Sequence, residues 1–142
     1  MRLSNTVLLL ALLSIAGNGY AADWVYVISK KDFSADLTAD RDSIRRSGDE
    51  ARVWAKWTHK ESYKDNIHSR PYRVSMEHYA FKCFAREKAL VSYILYADLE
   101  MTERNYYYKT PGELEWSDVI PETIHEALMN LACGAPDSTG GV

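Results

Sequence analysis

Four histidines and several carboxylates are the side chains of this sequence that could bind a metal ion. Neutral imidazole and carboxylate groups suit zinc or copper, and the candidates are His59, His68, His78 and His125 with Glu61, Asp65 and Glu77. None of them occurs at the spacing of a metal-binding motif. Strand periodicity places Glu77 and His78 on opposite faces, and helical periodicity turns His125 towards solvent. We therefore expect solvated histidines, no metal site and no cofactor.

Nucleophilic catalysis has no better support. Serines are scattered along the chain, but no G-x-S-x-G elbow and no S-x-x-K pair is present, and these are the spacings at which a serine is activated. Neighbouring carboxylates such as Glu113 and Glu115 are explained by solubility. The sequence predicts no catalytic residue, and a small hydrolase or metal-dependent enzyme is the least favoured class.

Residues 1–21 have the pattern of a secretory signal peptide. Arg2 precedes an apolar stretch, and small residues follow up to Ala21 and Ala22. The apolar stretch is about half as long as a transmembrane helix requires. We expect cleavage after Ala21, with Ala22 as the competing site, and export to the periplasm or beyond. No cysteine lies near this junction, so no lipid anchor is expected and surface display stays an open question.

Cys83 and Cys133 are the two cysteines of the chain, so one connectivity is available. Paired cysteines in an oxidising compartment favour a disulfide, and closing a loop of about 50 residues stabilises a fold by ~4 kcal/mol in the chain-entropy model. A redox-active thiol and a zinc site are the alternatives, although neither cysteine belongs to a C-x-x-C pair. The pair therefore favours a structural disulfide.

The charge of the chain argues against two classes of partner. Its 142 residues carry 17 Lys and Arg against 20 Asp and Glu, a formal net charge of −3. Nucleic acid and anionic membranes both reward clustered cations, so neither is expected as the main partner. The basic residues from Arg41 to Lys56 alternate with acidic ones. This pattern favours a solvated turn, with glycosaminoglycan contact as the alternative.

Period-two alternation predicts that a sheet is the main element of a single domain over residues 22–134. The predicted strands cover residues 24–29, 33–40, 51–60, 72–86, 89–97 and 106–109. Residues 40–49 are predicted as a connection or a single helical turn, and Glu61–Pro71 as a long polar loop. The strand at 89–97 is apolar on both faces, which indicates that a loop or another subunit covers its second face.

One helix is predicted at the C-terminal end of the domain. Thr123 and Glu126 form a capping-box pattern, apolar residues then recur at helical spacing, and Gly134 follows the predicted end near Cys133. A bond from Cys133 to Cys83, which strand periodicity turns towards the core, would clamp this helix onto the sheet. Residues 135–142 are predicted to be a disordered tail.

The aromatic residues are the feature that leans towards a function. The chain has ten Tyr and four Trp, which are good interface anchors but are also favoured by sheets for packing. Core or cross-strand packing is the more frequent role. The partner-binding candidates are Trp54, Tyr96, Tyr106, Tyr107 and Tyr108.

Several of these features together resemble the surface-adhesin protein E family of Gram-negative bacteria. The resemblance is carried by D-S-I-R-R-S-G-D-E-A-R-V-W at 42–54, by F-K-C at 81–83 and by W-S-D-V-I-P-E-T-I-H-E-A-L-M-N-L-A-C at 116–133. It implies an α+β fold: an antiparallel sheet of about six strands with a C-terminal helix packed on one face and held by a disulfide between Cys83 and Cys133. Dimerisation is implied as well.

The resemblance also implies a function. The best-known member of the family is an outer-membrane adhesin that binds host matrix and serum proteins such as vitronectin, laminin and plasminogen, and it is anchored by a lipidated cysteine that this sequence does not show. We expect an exported, non-enzymatic protein-binding module, with a homodimer through the strand at 90–96. The alternative is a periplasmic inhibitor, immunity or assembly factor that docks on another bacterial protein.

Overall fold

The structure is a computed structural model, and it describes residues 22–28 and 35–134. The predicted signal peptide at 1–21 and the predicted tail at 135–142 lie outside the described residues, as do residues 29–34. No helix in the described part is long and apolar enough to cross a membrane.

One antiparallel sheet and one helix make up the described fold. The helix α1 is Ile124–Cys133, and the strands are β1 Trp24–Ile28, β2 Ala35–Ser47, β3 Glu50–Tyr63, β4 Tyr72–Lys82, β5 Glu87–Tyr96, β6 Arg104–Lys109 and β7 Ser117–Asp118. The strands lie in the order β1-β2-β3-β4-β5-β6, and the short β7 pairs with β5 beyond the end of β6. This architecture confirms the predicted fold class and the predicted C-terminal helix.

The helix packs on one side of the sheet, which we call the helix face; the other side is called the opposite face. Alternate positions of β2 and β3 supply small residues, Ala39, Ala51 and Ala55, that are fully buried beneath the helix. Because these side chains are short, the helix can approach the sheet closely and bury Leu128 and Ala132 against it. The helix face of β1 to β4 is therefore the core of the domain.

Both ends of α1 are capped as its sequence predicts. The Thr123 hydroxyl accepts from the Glu126 N–H, and the Glu126 carboxylate accepts from the Glu122 N–H at 2.8 Å. Gly134 ends the helix in the left-handed conformation, with φ of 74°. The guanidinium of Arg46 on β2 donates to the Ala132 carbonyl at 2.6 Å, so the last turn is bonded to the sheet.

A disulfide joins Cys83 to Cys133, as the sequence favoured and as the family resemblance implied. The Cα atoms are 5.8 Å apart and the two residues are separated by 50 positions. Both cysteines pack against the core cluster. The bond therefore links the end of the helix to the turn that follows β4.

The prediction for residues 40–49 is wrong, because β2 continues as a strand to Ser47. Pairing of β2 with β3 is interrupted between Asp40 and Arg45. Within this interruption the Ser43 hydroxyl accepts from the Trp54 N–H at 2.9 Å and donates to the Asp40 carbonyl at 2.6 Å. Asp40 and Ser43 thus belong to an irregularity within a strand, although Asp and Ser are residue types typical of turns.

Other strand boundaries also differ from the prediction: β5 begins at Glu87 and β6 at Arg104, each two residues earlier than predicted. The strand β3 runs to Tyr63, so the loop before β4 begins at Lys64 and not at Glu61. The strand β4 ends at Lys82, and residues 83–86 form a turn in which the backbone N–H groups of Cys83 and Phe84 donate to Asp49. The turn is needed because β5 returns alongside β4.

Candidate protein-binding surface

The strand β6 lies at one edge of the sheet and carries three of the predicted binding residues. It pairs with β5, with Tyr106 opposite Leu95, Tyr107 opposite Ile94 and Tyr108 opposite Tyr93. Since paired residues share a face and neighbours alternate, Tyr106 and Tyr108 lie on the helix face and Tyr107 on the opposite face. Tyr106 is 44% and Tyr107 52% exposed. Two large aromatic side chains therefore reach solvent on the two sides of one strand.

Tyr108 packs more deeply than its two neighbours. Its ring centroid is 5.2 Å from that of Tyr93 on β5, and the Tyr93 ring is also 5.8 Å from Tyr106. This row of three tyrosines on the helix face lies beyond the area that α1 covers, because α1 contacts β1 to β4. Tyr93 and Tyr108 thus form a support for the exposed Tyr106.

The loop between β3 and β4, residues 64–71, folds onto this tyrosine row. The His68 ring packs edge-on against Tyr106, with 4.9 Å between centroids. Its Nδ1 lies 2.7 Å from Asp65 Oδ2 and its Nε2 lies 2.9 Å from the Tyr93 hydroxyl oxygen. Because the carboxylate can only accept, Nδ1 carries the proton in the neutral ring and Tyr93 donates to Nε2. The loop is therefore bonded to β5 and packed against β6.

Asp65 is the centre of the hydrogen bonds in this loop. It accepts from the backbone N–H groups of Ile67 and His68, at 2.9 and 2.7 Å, and from the Tyr72 hydroxyl at 3.1 Å. Desolvation of the carboxyl opposes ionisation, but these hydrogen bonds together lower the pKa of Asp65 below its usual value. Burial, followed by the bond to Asp65, raises the pKa of Tyr72. The loop therefore carries an ionised carboxylate that its own amides hold in place.

The order carboxylate, imidazole, hydroxyl is one that activates nucleophiles in some enzymes, and Asp65, His68 and Tyr93 show it. Burial, and then the neighbouring Tyr106, raises the pKa of Tyr93, so its hydroxyl keeps the proton that it shares with His68 Nε2. The arrangement suits a structural role, which is to pin the loop to the sheet.

Sequence reasoning placed His68 in a polar loop and missed its connection to Asp65 and Tyr93. The D-x-x-H spacing was the available signal, since an Asp side chain bonds readily to the amides two and three positions later. The partner on β5 lies 25 positions beyond His68. That contact depends on the sheet register, which sequence spacing does not encode.

A small pocket lies between this loop and β6. Its volume is about 230 Å³, and it is lined by Ile67, His68, Ser69, Arg70, Leu95, Asn105 and Tyr106. Pockets that enclose whole small molecules are usually larger, about 300–1,000 Å³. The rim carries Ile67, which is 84% exposed, and the Arg70 side chain. The pocket has room for one side chain of a bound protein.

The other two predicted binding residues lie elsewhere. Trp54 on β3 is half-buried on the opposite face and stacks on His78, with 4.6 Å between ring centroids and 7° between the planes. Tyr96 is half-buried opposite Val74 of β4. The five candidates therefore do not form one site: three belong to the β6 edge, and Trp54 and Tyr96 lie on the opposite face, on β3 and β5, with β4 between them.

The expectation of solvated histidines is wrong for the described structure, because all four histidines are partly buried. His125 was predicted to face solvent, but its ring packs edge-on against Tyr79 at 5.4 Å. Burial, and then the charge of Lys88, lowers the pKa of His125 to about 4. His59 stacks on Tyr63 at 4.7 Å. Within residues 22–28 and 35–134, no group of three or more His, Cys, Asp or Glu could hold a metal ion.

The charges of the surface are unevenly distributed along the chain. The basic residues near the β2–β3 turn are engaged: Arg41 lies 3.5 Å from Asp23, Arg52 2.6 Å from Glu50, and Arg45 donates to backbone carbonyls. In contrast, residues 98–122, which include β6, contain seven acidic residues and two basic ones. The β6 edge therefore lies in the acidic part of a chain whose total charge is −3.

Comparison with known proteins gives one family. The model of the family described as surface-adhesin protein E matches residues 24–134. No curated protein sequence matches the chain.

Solved structures of protein E from Haemophilus influenzae have a similar fold. A second crystal form of that protein is 11% identical, with 80% of this chain and 97% of that chain covered and a TM-score of 0.51. Protein E from non-typeable Haemophilus influenzae is 12% identical, with 78% and 75% covered and a TM-score of 0.52. At such low identity these structures are similar in fold alone.

Proposed function

The chain belongs to the surface-adhesin protein E family, and on that premise we propose that it is an exported, non-enzymatic module that binds a protein partner through the β6 edge. The observation that supports this proposal is the pair of exposed tyrosines, Tyr106 and Tyr107, on β6. The loop at 64–71 packs against Tyr106 and is bonded to β5 through His68. The family is one of adhesins, a non-enzymatic kind of protein.

Exposed tyrosines on a rigid support suit protein recognition. A tyrosine contributes a large contact area with few rotatable bonds, so little conformational entropy is lost on binding. Packing of Tyr106 against His68 and Tyr93 reduces that loss further. We therefore assign Tyr106 and Tyr107 to partner contact, and Tyr108, which packs on Tyr93, to the support of Tyr106.

The expected partners are host matrix or serum proteins, because that is the class implied by an adhesin-like role. The test is binding of the mature protein, residues 22–142, to immobilised vitronectin, laminin and plasminogen. The double variant Tyr106→Ala, Tyr107→Ala should bind at least about tenfold more weakly, since anchor residues of an interface cost about 2 kcal/mol or more when truncated.

Tyr26 provides the matched control. It is 71% exposed on β1, at the far edge of the sheet, so Tyr26→Ala removes a tyrosine that is more exposed than Tyr106 and Tyr107 without touching β6. The proposal predicts unchanged binding of this variant. Equal binding by the wild type and the β6 double variant, or no binding by the wild type to any of these proteins, would refute the proposal.

The location of the protein separates the adhesin from a periplasmic inhibitor, immunity or assembly factor. Protease treatment of intact cells digests a surface-displayed chain and spares a periplasmic one. The adhesin-like role predicts digestion. Full protection, together with co-purification of a bacterial protein from the periplasm, would support the alternative.

A homodimer also stays a prediction. In the fold, β5 is paired on both sides, by β4 on one and by β6 and β7 on the other, so a dimer through this strand would use the opposite face around Ile94 and Tyr96. Light scattering of the mature protein tests it: twice the monomer mass is expected, and a strict monomer would end this prediction.

A further inference from the structure

We propose that β6 binds an extended, basic segment of its partner as an additional strand of the sheet. This inference rests on the proposed function and names the kind of partner that the β6 edge fits. Three features of the described structure carry it: the backbone groups that β6 turns outward, the acidic surroundings of the edge, and the pocket beside Tyr106.

The direction of the backbone groups follows from the register. The Thr110 N–H donates to the Val91 carbonyl at 2.9 Å, which identifies this pair as a hydrogen-bonded one. In an antiparallel ladder such pairs alternate with pairs that do not exchange hydrogen bonds. With Tyr108 opposite Tyr93, Tyr106 and Tyr108 bond to β5, and Tyr107 turns its N–H and C=O away from it.

These outward groups meet no further strand in the described part of the chain, where β6 is the last strand on its side of the sheet. An edge strand with free N–H and C=O groups is a template for strand addition. Lys109, two positions after Tyr107, also turns its backbone N–H and C=O outward. The edge therefore offers free backbone groups at every second residue. An extended peptide can pair with both.

The charge around the edge selects the peptide. Residues 98–122 carry seven acidic side chains against two basic ones, which are Arg104 and Lys109 at the ends of β6. Glu103 precedes the strand, Glu113 and Glu115 follow it by four and six positions, and all three are exposed. A basic segment would be attracted by this charge, whereas an acidic segment would be repelled. The exposed rings of Tyr106 and Tyr107 add faces on which lysine or arginine can lie.

The pocket beside Tyr106 would hold one side chain of the added strand. A residue that pairs opposite Tyr106 shares its face of the sheet, which is the face on which the pocket of about 230 Å³ lies. The buried Leu95 forms part of its wall. An apolar side chain of the partner would fit here, so the expected segment alternates apolar and basic residues.

The experiment uses a blocked octapeptide of alternating lysine and valine, labelled with a fluorophore, and measures its binding to the mature protein by fluorescence anisotropy. The expected result is binding that weakens as salt is added, and no binding of the matching glutamate and valine peptide. The decisive comparison is between Tyr107→Pro and Tyr107→Ala. Both variants lose the tyrosine ring and keep the hydrogen bonds between β6 and β5. Only the proline variant also loses the outward N–H.

Strand addition predicts that the peptide binds Tyr107→Pro at least about tenfold more weakly than Tyr107→Ala, because an unpaired backbone group remains in the complex. Equal affinity for the two variants would overturn the proposal. A thermal unfolding curve of each variant establishes that both are folded.

Amide hydrogen exchange on the wild type gives a second readout that needs no variant. The Tyr107 amide should exchange rapidly in the free protein and slowly with the peptide, while the Tyr106 amide is protected in both. Protection of neither, or a wild type that is a dimer which Tyr107→Pro converts to a monomer, would overturn the proposal; the second outcome would assign the edge to another copy of the chain.

The two proposals fail in different ways. If the matrix proteins bind and lose affinity on mutation of Tyr106 and Tyr107 while the peptide does not bind, strand addition is wrong and the proposed function stands. If the peptide binds at Tyr107 and no matrix protein does, the edge recognises basic segments, and the adhesin-like role is wrong.

Discussion

Removal of the disulfide is the perturbation whose effect on the fold can be worked out most directly. Replacing Cys83 and Cys133 with alanine takes away a crosslink between residues separated by 50 positions. In the chain-entropy model, a loop of that length corresponds to about 4 kcal/mol of stability, since the unfolded chain regains the freedom that the crosslink removed. We therefore expect the double variant to lose about 4 kcal/mol of unfolding free energy.

The variant should nevertheless fold. Leu128, Met129 and Ala132 remain buried against the sheet, and the guanidinium of Arg46 still bonds to the end of the helix. The strand β6 pairs with β5, whereas α1 packs mainly on β1 to β4. Binding at the β6 edge should therefore survive under conditions where the variant is folded.

The assay is urea unfolding at neutral pH, followed by tryptophan fluorescence and by circular dichroism. The wild type under reducing conditions is the matched control, because it lacks the crosslink and keeps both side chains. It should unfold at nearly the same urea concentration as the double variant. A loss of less than about 1 kcal/mol in both samples would refute the reasoning, since it would mean that the crosslink does not constrain the unfolded chain.

Three further predictions concern single side chains. Because the pKa of His125 is held at about 4 by burial, the unfolded chain gains a proton first as the pH falls; stability should drop by about 1–2 kcal/mol between pH 6.5 and 4, allowing for solvent screening, and His125→Gln should flatten this dependence in urea titrations. Gly134→Ala should cost about 1–2 kcal/mol, because φ is 74° and the added methyl would lie 3.0 Å from a guanidinium nitrogen, whereas Gly48→Ala, also at positive φ but with open space around it, should cost less in thermal unfolding. Asp65→Ala should release the loop at 64–71 and speed hydrogen exchange of the Ile67 and His68 amides, which donate to this carboxylate; unchanged exchange rates would contradict the role of Asp65.

The elements that the sequence predicted well are those with a local signal. The helix α1 carries its own cap residues, Thr123 and Gly134, so its ends follow from neighbouring residues. The strands β3 and β5 alternate or run apolar, and the number of cysteines left one pairing. The helix ends and the strands are decided by residues within a few positions of one another, and the disulfide by the number of cysteines alone.

The elements that were missed depend on contacts between distant segments. Ser43 belongs to a strand because its hydroxyl bonds to the backbone of Trp54 on the next strand, and no neighbouring residue signals this. His125 was expected to face solvent because helical spacing alone cannot show that Tyr79 covers it.

For the proposed binding surface, the sequence indicated the tyrosines but not their arrangement. The run of Tyr106, Tyr107 and Tyr108 was visible in the sequence as a source of interface residues. Its division into two exposed rings and one supporting ring follows from the register with β5, and its attachment to His68 follows from the fold of the loop at 64–71. These are tertiary relations, and the period of a strand alone does not contain them.

We propose that this family member binds its protein partner at the β6 edge. The most direct test is the affinity of the mature protein for immobilised vitronectin or laminin, measured side by side for the wild type, the Tyr106→Ala, Tyr107→Ala double variant and the Tyr26→Ala control. We expect a loss of at least about tenfold for the double variant alone. Equal affinities for all three proteins would contradict it.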